Sequence, residues 1–280
     1  MRHPVLIALA GILLMSACTK PDGDAEVQRA LQDLDVLESG ALGDVMMSVA
    51  EPSEAVAYFN KQLSDNPDRI DLQRGLASSL VRAGRTTESI SAWKRVIAHG
   101  DSNADDRVNL AEAQIRANQW DDAAGTLNEI PPTHETFERY KLEAMVADSN
   151  EDWAKADTFY ETAAGLTTTP AGVMNNWGFS KLTRGDYAGA ERLFTDALRQ
   201  DGSLFTAKNN LMLARGAQRN YDLPVMPMDQ TERARLLYTL ALTAIKQSDV
   251  TIGKTLLEEA VATHPQYFEE ASRALRALEA

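Results

Sequence analysis

The sequence has a single cysteine, Cys18, so no disulfide can form within the chain and no paired-thiolate zinc site can be assembled. Aromatic residues make up 6% of it, and sixteen Gly and ten Pro are too few for a collagen-like or low-complexity chain. Positive charge is also scarce: 28 Lys and Arg stand against 41 Asp and Glu, for a net charge of −13. That balance argues against non-specific binding to nucleic acid or to an anionic membrane surface, both of which need clustered cations. There is no Gly-rich phosphate loop, no H-E-x-x-H and no G-x-S-x-G, and the carboxylates are spread along solvent faces without an isolated pair. No enzymatic activity, catalytic residue, metal, cofactor or small-molecule substrate is therefore expected. Of the four histidines, His3 lies near the N-terminus. His99, His134 and His264 each fall just past a predicted helix end, where a partial positive charge is favourable against the helix dipole.

Long apolar runs are equally rare. The one that stands out is residues 5–15 (VLIALAGILLM), uncharged and preceded by Arg2 and His3. Eleven residues suit the core of a signal peptide and fall short of the ~20 that a membrane-spanning helix requires. Met15-Ser16-Ala17-Cys18 follows, and it resembles the bacterial lipobox, with Met15 in place of the usual Leu. The resemblance implies that residues 1–17 are removed, that Cys18 is lipidated, and that 18–33 form the lipidated N-terminus and a polar tether. Lipidation also explains how a lone thiol persists in an oxidising compartment. Several acyl chains on one cysteine anchor stably, at roughly 0.8 kcal/mol per buried methylene. Thr19 rather than Asp follows the cysteine, which under the lipoprotein sorting rule implies the outer membrane of a Gram-negative cell, periplasmic face.

The rest of the chain is periodic. In 175–201 (NNWGFSKLTRGDYAGAERLFTDALRQD), apolar residues recur at three- and four-residue steps on both sides of Arg184-Gly185-Asp186, the pattern of two amphipathic helices joined by a tight turn. Comparable turns occur at Gly84, Asn118 and Glu151, so the steps to Gly185 are 34, 33 and 34 residues. One step back reaches Ala50, and one step forward reaches Arg219. A helical hairpin cannot bury its own apolar faces and needs neighbours of the same kind.

Period and residues together resemble the tetratricopeptide repeat. The closest match is 171–204, with Trp177-Gly178 in the first helix and Tyr187, Ala190, Phe194 and Ala197 in the second; Lys181 and Gly202 depart from the pattern. The resemblance implies an all-α fold, a right-handed superhelix of antiparallel helix pairs over 34–280. Its units would be 36–69, 70–103, 104–136, 137–170, 171–204, an incomplete 205–233 and 234–267, with a capping helix in 268–280. An irregular helical bundle is the alternative. In the sixth unit Pro224 falls where the second helix should have its Ala, and an interior proline costs on the order of 3 kcal/mol. Residues 221–229 (YDLPVMPMD) are therefore expected as a linker, with Val225, Met226 and Met228 against the superhelix and Thr231 capping the next helix.

The resemblance also implies a concave groove lined by the first helices. In that family an Asn just before the large–small pair can hydrogen-bond the backbone of an extended peptide. Matching positions are Asn109, Asn176 and Asn210, with Asn175 and Asn209 beside them. Arg74, Arg116 and Phe179, together with Glu112, Lys141, Leu182 and Leu213, would add local character. The competing reading is that these Asn residues only tie one helix to the next. Trp93, Trp120, Trp153 and Trp177 are assigned to packing. A narrower resemblance lies in NNLMLARGAQRNYD, the Pro-interrupted linker and ERARLLYTLALTAIKQSD, which look like TadD-type lipoproteins of the tight-adherence (Flp) pilus machinery. It implies protein partners such as a secretin and pilus-assembly components. A lipoprotein of outer-membrane protein insertion or secretin piloting, and an accessory subunit of a cell-wall enzyme, are the alternatives.

Overall fold

A computed structural model of the chain describes residues 42–279. The proposed signal peptide 1–17, Cys18, the tether 18–33 and the start of the first unit lie outside the described residues. Among the described residues there are fourteen helices and no strand. A first segment, α1 (42–48), precedes α2 (Pro52–Asp65). Four helix pairs follow: α3 (Ile70–Arg82) with α4 (Thr86–Ala98), α5 (Ala104–Arg116) with α6 (Trp120–Asn128), α7 (Phe137–Ser149) with α8 (Trp153–Gly165), and α9 (Ala171–Thr183) with α10 (Tyr187–Gln200). After them come α11 (Phe205–Ala217), α12 (Gln230–Lys246), α13 (Val250–Thr263) and α14 (Glu269–Glu279).

The turns are made alike. Gly84, Asn118, Glu151, Gly185, Arg219 and Ser248 all take positive φ, between 57° and 84°. At each, the following N–H returns to a carbonyl five residues earlier, as in Arg85 to Leu80 (2.9 Å), Asp186 to Lys181 (2.9 Å) and Asp249 to Ala244 (2.9 Å). This is the Schellman closure of a helix C-terminus, which satisfies carbonyls that the helix itself leaves open. Asp152 and Asp186 then cap the next helix, accepting from the N–H of Lys155 and Gly189.

Packing follows from the same register. Trp93, Leu127, Tyr160, Phe194 and Leu257, each nine residues beyond its left-handed residue, are buried. They meet the small residues Ala77, Ala111, Ala144, Gly178 and Ala241 on the paired first helix, also buried. Each such large side chain contributes roughly 1.5–3 kcal/mol by leaving water. Second helices pack on the next unit's first helix, and first helices touch one another in sequence: α3 on α5, α5 on α7, α9 on α11. The contact between α7 and α9 is thinner.

The sixth unit lacks its second helix. Residues 220–229 run without regular structure, and α11 packs directly on α12. The buried Lys208, 3% exposed, fixes this segment by donating to the Pro227 carbonyl (2.7 Å) and to Glu232 (2.8 Å). Leu223, Met226 and Met228 pack against the core of α11 and α12. Val225 does not: it is fully exposed, because between two prolines the extended chain turns alternate side chains outward. The cap of α12 is Asp229 rather than Thr231, its carboxylate accepting from the Glu232 N–H at 2.8 Å. This earlier start gives α12 seventeen residues, longer than the other first helices. At the end of the chain, α14 covers α12 and α13 through Ala271, Leu275 and Leu278, next to Phe268.

Candidate functional site: a groove across α7, α9 and α11

A cavity of about 590 Å³ opens across α7, α9 and α11. Its floor is built by α9 and α11, which contribute Asn175, Asn176, Phe179, Ser180 and Thr183, then Phe205, Thr206, Asn209 and Asn210. From α7 come Met145, Asp148 and Ser149. The first residues of α6 and α8, Trp120 and Trp153, reach round to its wall, and Tyr160 lies at its base. Five of the lining residues are aromatic, in a chain with few of them. Apolar surface with a few convergent polar groups is the composition of a ligand site.

Of the residues named from the sequence, Asn175, Asn176, Asn209, Asn210 and Phe179 line this cavity. Arg74, Asn109 and Arg116 do not. The Arg74 guanidinium is bound to the Asp106 carboxylate (2.7 and 2.8 Å) and to the Asp101 carbonyl, joining unit to unit. Arg116 pairs with Glu112 on its own helix at 2.8 Å. Both arginines are thus committed to ion pairs.

The four cavity asparagines have different roles. The Asn210 side-chain amide donates to Oδ1 of Asn175 at 3.1 Å, bridging α11 and α9. Asn209 accepts from the Thr239 hydroxyl at 2.7 Å, bridging α11 and α12. These bonds are the inter-helix ties that the competing reading describes. Asn176, half-buried, has no side-chain hydrogen bond among the described residues and keeps both its donor and its acceptor for a ligand.

Asp148 is the one charged lining residue. Burial pushes its carboxyl above the usual range, although Ser180 (2.7 Å) and Tyr160 (2.8 Å) both donate to it. Burial and the adjoining carboxylate in turn raise the Tyr160 phenol. Behind α9, burial opposes ionisation of Asp157. Trp177 (2.6 Å), Lys181 (3.0 Å) and Arg184 (2.6 Å) outweigh it and hold that carboxyl below the usual range.

The assignment of the tryptophans to packing holds for Trp93, Trp120 and Trp177 and needs correction at Trp153. Trp93 is buried, and Trp177 stacks on Tyr160 with centroids 6.3 Å apart. Trp120 packs against the core of α5, α6 and α7 and also edges the cavity, held by a bond from its indole N–H to Asn118 (2.6 Å), whereas Trp153 lines the cavity under the Arg184 guanidinium. Their shared register, each opening a second helix two residues after the left-handed turn, was a signal available in the sequence. The histidines also divide. His99 and His264 occupy helix C-caps, whereas His134 lies beyond Glu129, the cap of α6, with Nε2 2.9 Å from Asp105. Among the described residues no group of His, Cys, Asp and Glu is placed to hold a metal ion, and no helix is long and apolar enough to cross a membrane.

Residues 80–146 match the tetratricopeptide repeat family model. Among curated proteins, none matches the chain. Among solved structures, a chain of the APC/C hetero-tetramer Cut9–Hcn1 superposes with a TM-score of 0.61 at 14% identity, over 84% of this chain and 48% of that one. This chain therefore spans about half the length of that relative. A tetratricopeptide repeat protein from Parabacteroides merdae gives 0.57 at 11% identity over 88% and 98% of the two chains. A thermophilic repeat protein from Thermus thermophilus gives 0.55 at 16% over 62% and 95%. At these identities the likeness shows the fold alone: an all-helical solenoid of the tetratricopeptide type.

Proposed function

We propose that this tetratricopeptide-type solenoid is a lipid-anchored envelope scaffold that holds a protein partner in the groove across α7, α9 and α11. The observation that carries the reading is the cavity itself: aromatic walls, a half-exposed Phe179, and Asn176 with both halves of its amide free. The lipobox-like Met15-Ser16-Ala17-Cys18 supports anchoring at Cys18, and Thr19 supports the periplasmic face of the outer membrane. The net charge of −13 and a cavity without a cation both oppose a nucleic acid ligand. The likeness of the C-terminal order to TadD-type lipoproteins supports a place in tight-adherence pilus assembly, with a secretin or its associated components as partner.

Crosslinked pulldown from native envelopes, with Cys18 intact, tests this reading. It predicts recovery of a secretin and pilus-assembly proteins, and release of the protein from the membrane fraction by Cys18→Ser. Recovery of barrel-insertion or cell-wall components would remove the pilus and retain a scaffold. An unchanged membrane fraction for Cys18→Ser would remove the anchor.

A further inference from the structure

The groove changes character along the solenoid. Six residues before each left-handed turn residue, the first helices present in order Ser78, Glu112, Met145, Phe179, Leu213 and Leu242. The first two are polar and the last four apolar. Phe179 is 49% exposed and Leu242 42%, with Met145 and Leu213 half-buried. A single exposed apolar side chain is ordinary, but four at one register on consecutive first helices form a stripe. Because the sixth unit has no second helix, α11 lies directly on α12 and the stripe continues to Leu242.

We propose that this stripe docks a polyproline-II-like segment of the partner protein, with an apolar side chain at every third residue and no acidic residue. The proposal rests on the groove reading above and names the kind of segment that fills it. Where the helices of the stripe pack on one another, as α9 on α11 and α11 on α12, they step by roughly 8–10 Å. A polyproline-II chain places every third side chain on one face at about 3.1 Å per residue, so its repeat of roughly 9 Å matches that step. A β-strand brings side chains to one face every second residue, after roughly 7 Å, and loses register. An α-helix satisfies its own backbone and gives Asn176 no peptide group to bind, whereas an extended chain offers both N–H and C=O. The exclusion of acidic residues follows from charge. A carboxylate carried into the cavity meets Asp148 and no lining cation, since Arg184 lies behind Trp153 and is bound to Asp157, and an uncompensated charge in a partly desolvated site is strongly disfavoured.

The test is selection of a random phage-displayed peptide library on the full protein, with counter-selection on Phe179→Glu. A length of about twelve residues spans four three-residue steps. Enriched clones should carry Leu, Phe, Tyr or Pro at three-residue spacing and be depleted in Asp and Glu. The synthetic consensus peptide should lose roughly tenfold or more in affinity on Phe179→Glu and severalfold on Asn176→Ala, and be unaffected by Arg192→Glu on the exposed side of α10. Circular dichroism confirms that each variant remains helical. An acidic consensus, a helical pattern of apolar residues, no enrichment over the counter-selected protein, or indifference to Phe179→Glu would each overturn the proposal. The envelope pulldown separates the two levels. Partners recovered through another face leave the scaffold and remove this segment, while selective peptides without envelope partners do the reverse.

Discussion

Adding one methyl group at Gly178 tests the packing account most sharply. Four other first helices carry Ala at this register: Ala77, Ala111, Ala144 and Ala241. A Cβ at Gly178 would lie 2.6 Å from Cε1 and 2.8 Å from Cδ1 of Phe194, a ring with no exposed surface in which to retreat. Trp93 and Tyr160 coexist with Ala77 and Ala144, so the position of this ring edge decides, rather than ring size. Helix propensity alone favours Ala over Gly by about 0.8–1 kcal/mol. Overpacking a closed site costs about 1–3 kcal/mol. Gly178→Ala should therefore destabilise the protein by roughly 1 kcal/mol. Leu127 and Leu257 stand opposite Ala111 and Ala241, so Phe194→Leu should make room, and the double variant should recover roughly 1 kcal/mol or more of coupling. Urea denaturation gives the stabilities, and hydrogen exchange in α9 and α10 reports the local effect in a solenoid that need not unfold as one unit. A Gly178→Ala protein stabilised by the full propensity gain, or a cycle additive within about 0.5 kcal/mol, would refute the reasoning.

Further expectations follow from the turns, the linker and the buried charges. Glu151, exposed at φ 57° and without a side-chain partner among the described residues, should yield about 0.5–1 kcal/mol of stability on Glu151→Gly, measured by denaturation. The same change at Arg219 should bring no gain, because it removes the 3.0 Å pair with Asp249. Lys208→Ala leaves the Pro227 carbonyl and Glu232 without their donor and should cost about 2–3 kcal/mol, with faster proteolysis within 221–229; unchanged proteolysis would contradict its role as the linker's anchor. Asp157 has a folded carboxyl below its usual range, so the stability it contributes is present above the ordinary carboxylate pKa and is lost as pH falls through the lower folded value. Asp157→Asn should flatten the acid limb of the stability–pH curve, and an unchanged limb would argue against it.

The solenoid was legible because its period is carried by the residues that build it. Gly84 and Gly185 mark left-handed turns by type, and Asn118, Glu151 and Arg219 become visible by spacing from them. The linker was equally plain, since Pro224 and Pro227 forbid a helix whatever surrounds them. The site was only partly readable. The positions of Asn176 and Phe179 follow from helix register, but whether a polar side chain remains free depends on partners about thirty residues away. Arg74 meets Asp106, and Asn209 meets Thr239, across units whose relative tilt no local pattern encodes. Trp120 and Trp153 line a cavity whose other walls come from α7, α9 and α11, so their place in it depends on neighbouring helices and not on their own register alone. Val225 faces outward because the direction of an extended segment is set by the two helices it joins.

The most direct test of the central claim is photo-crosslinking in living cells, with a photoreactive amino acid at position 179 or at position 192. Position 179 faces the groove, and position 192 is exposed on α10, which contributes nothing to the cavity. The account predicts a discrete protein adduct from 179, lost when Asn176→Ala is combined with Thr206→Glu in a still-folded protein, and none of the same mass from 192. An adduct from 192 alone would place the partner on the other face and contradict the groove.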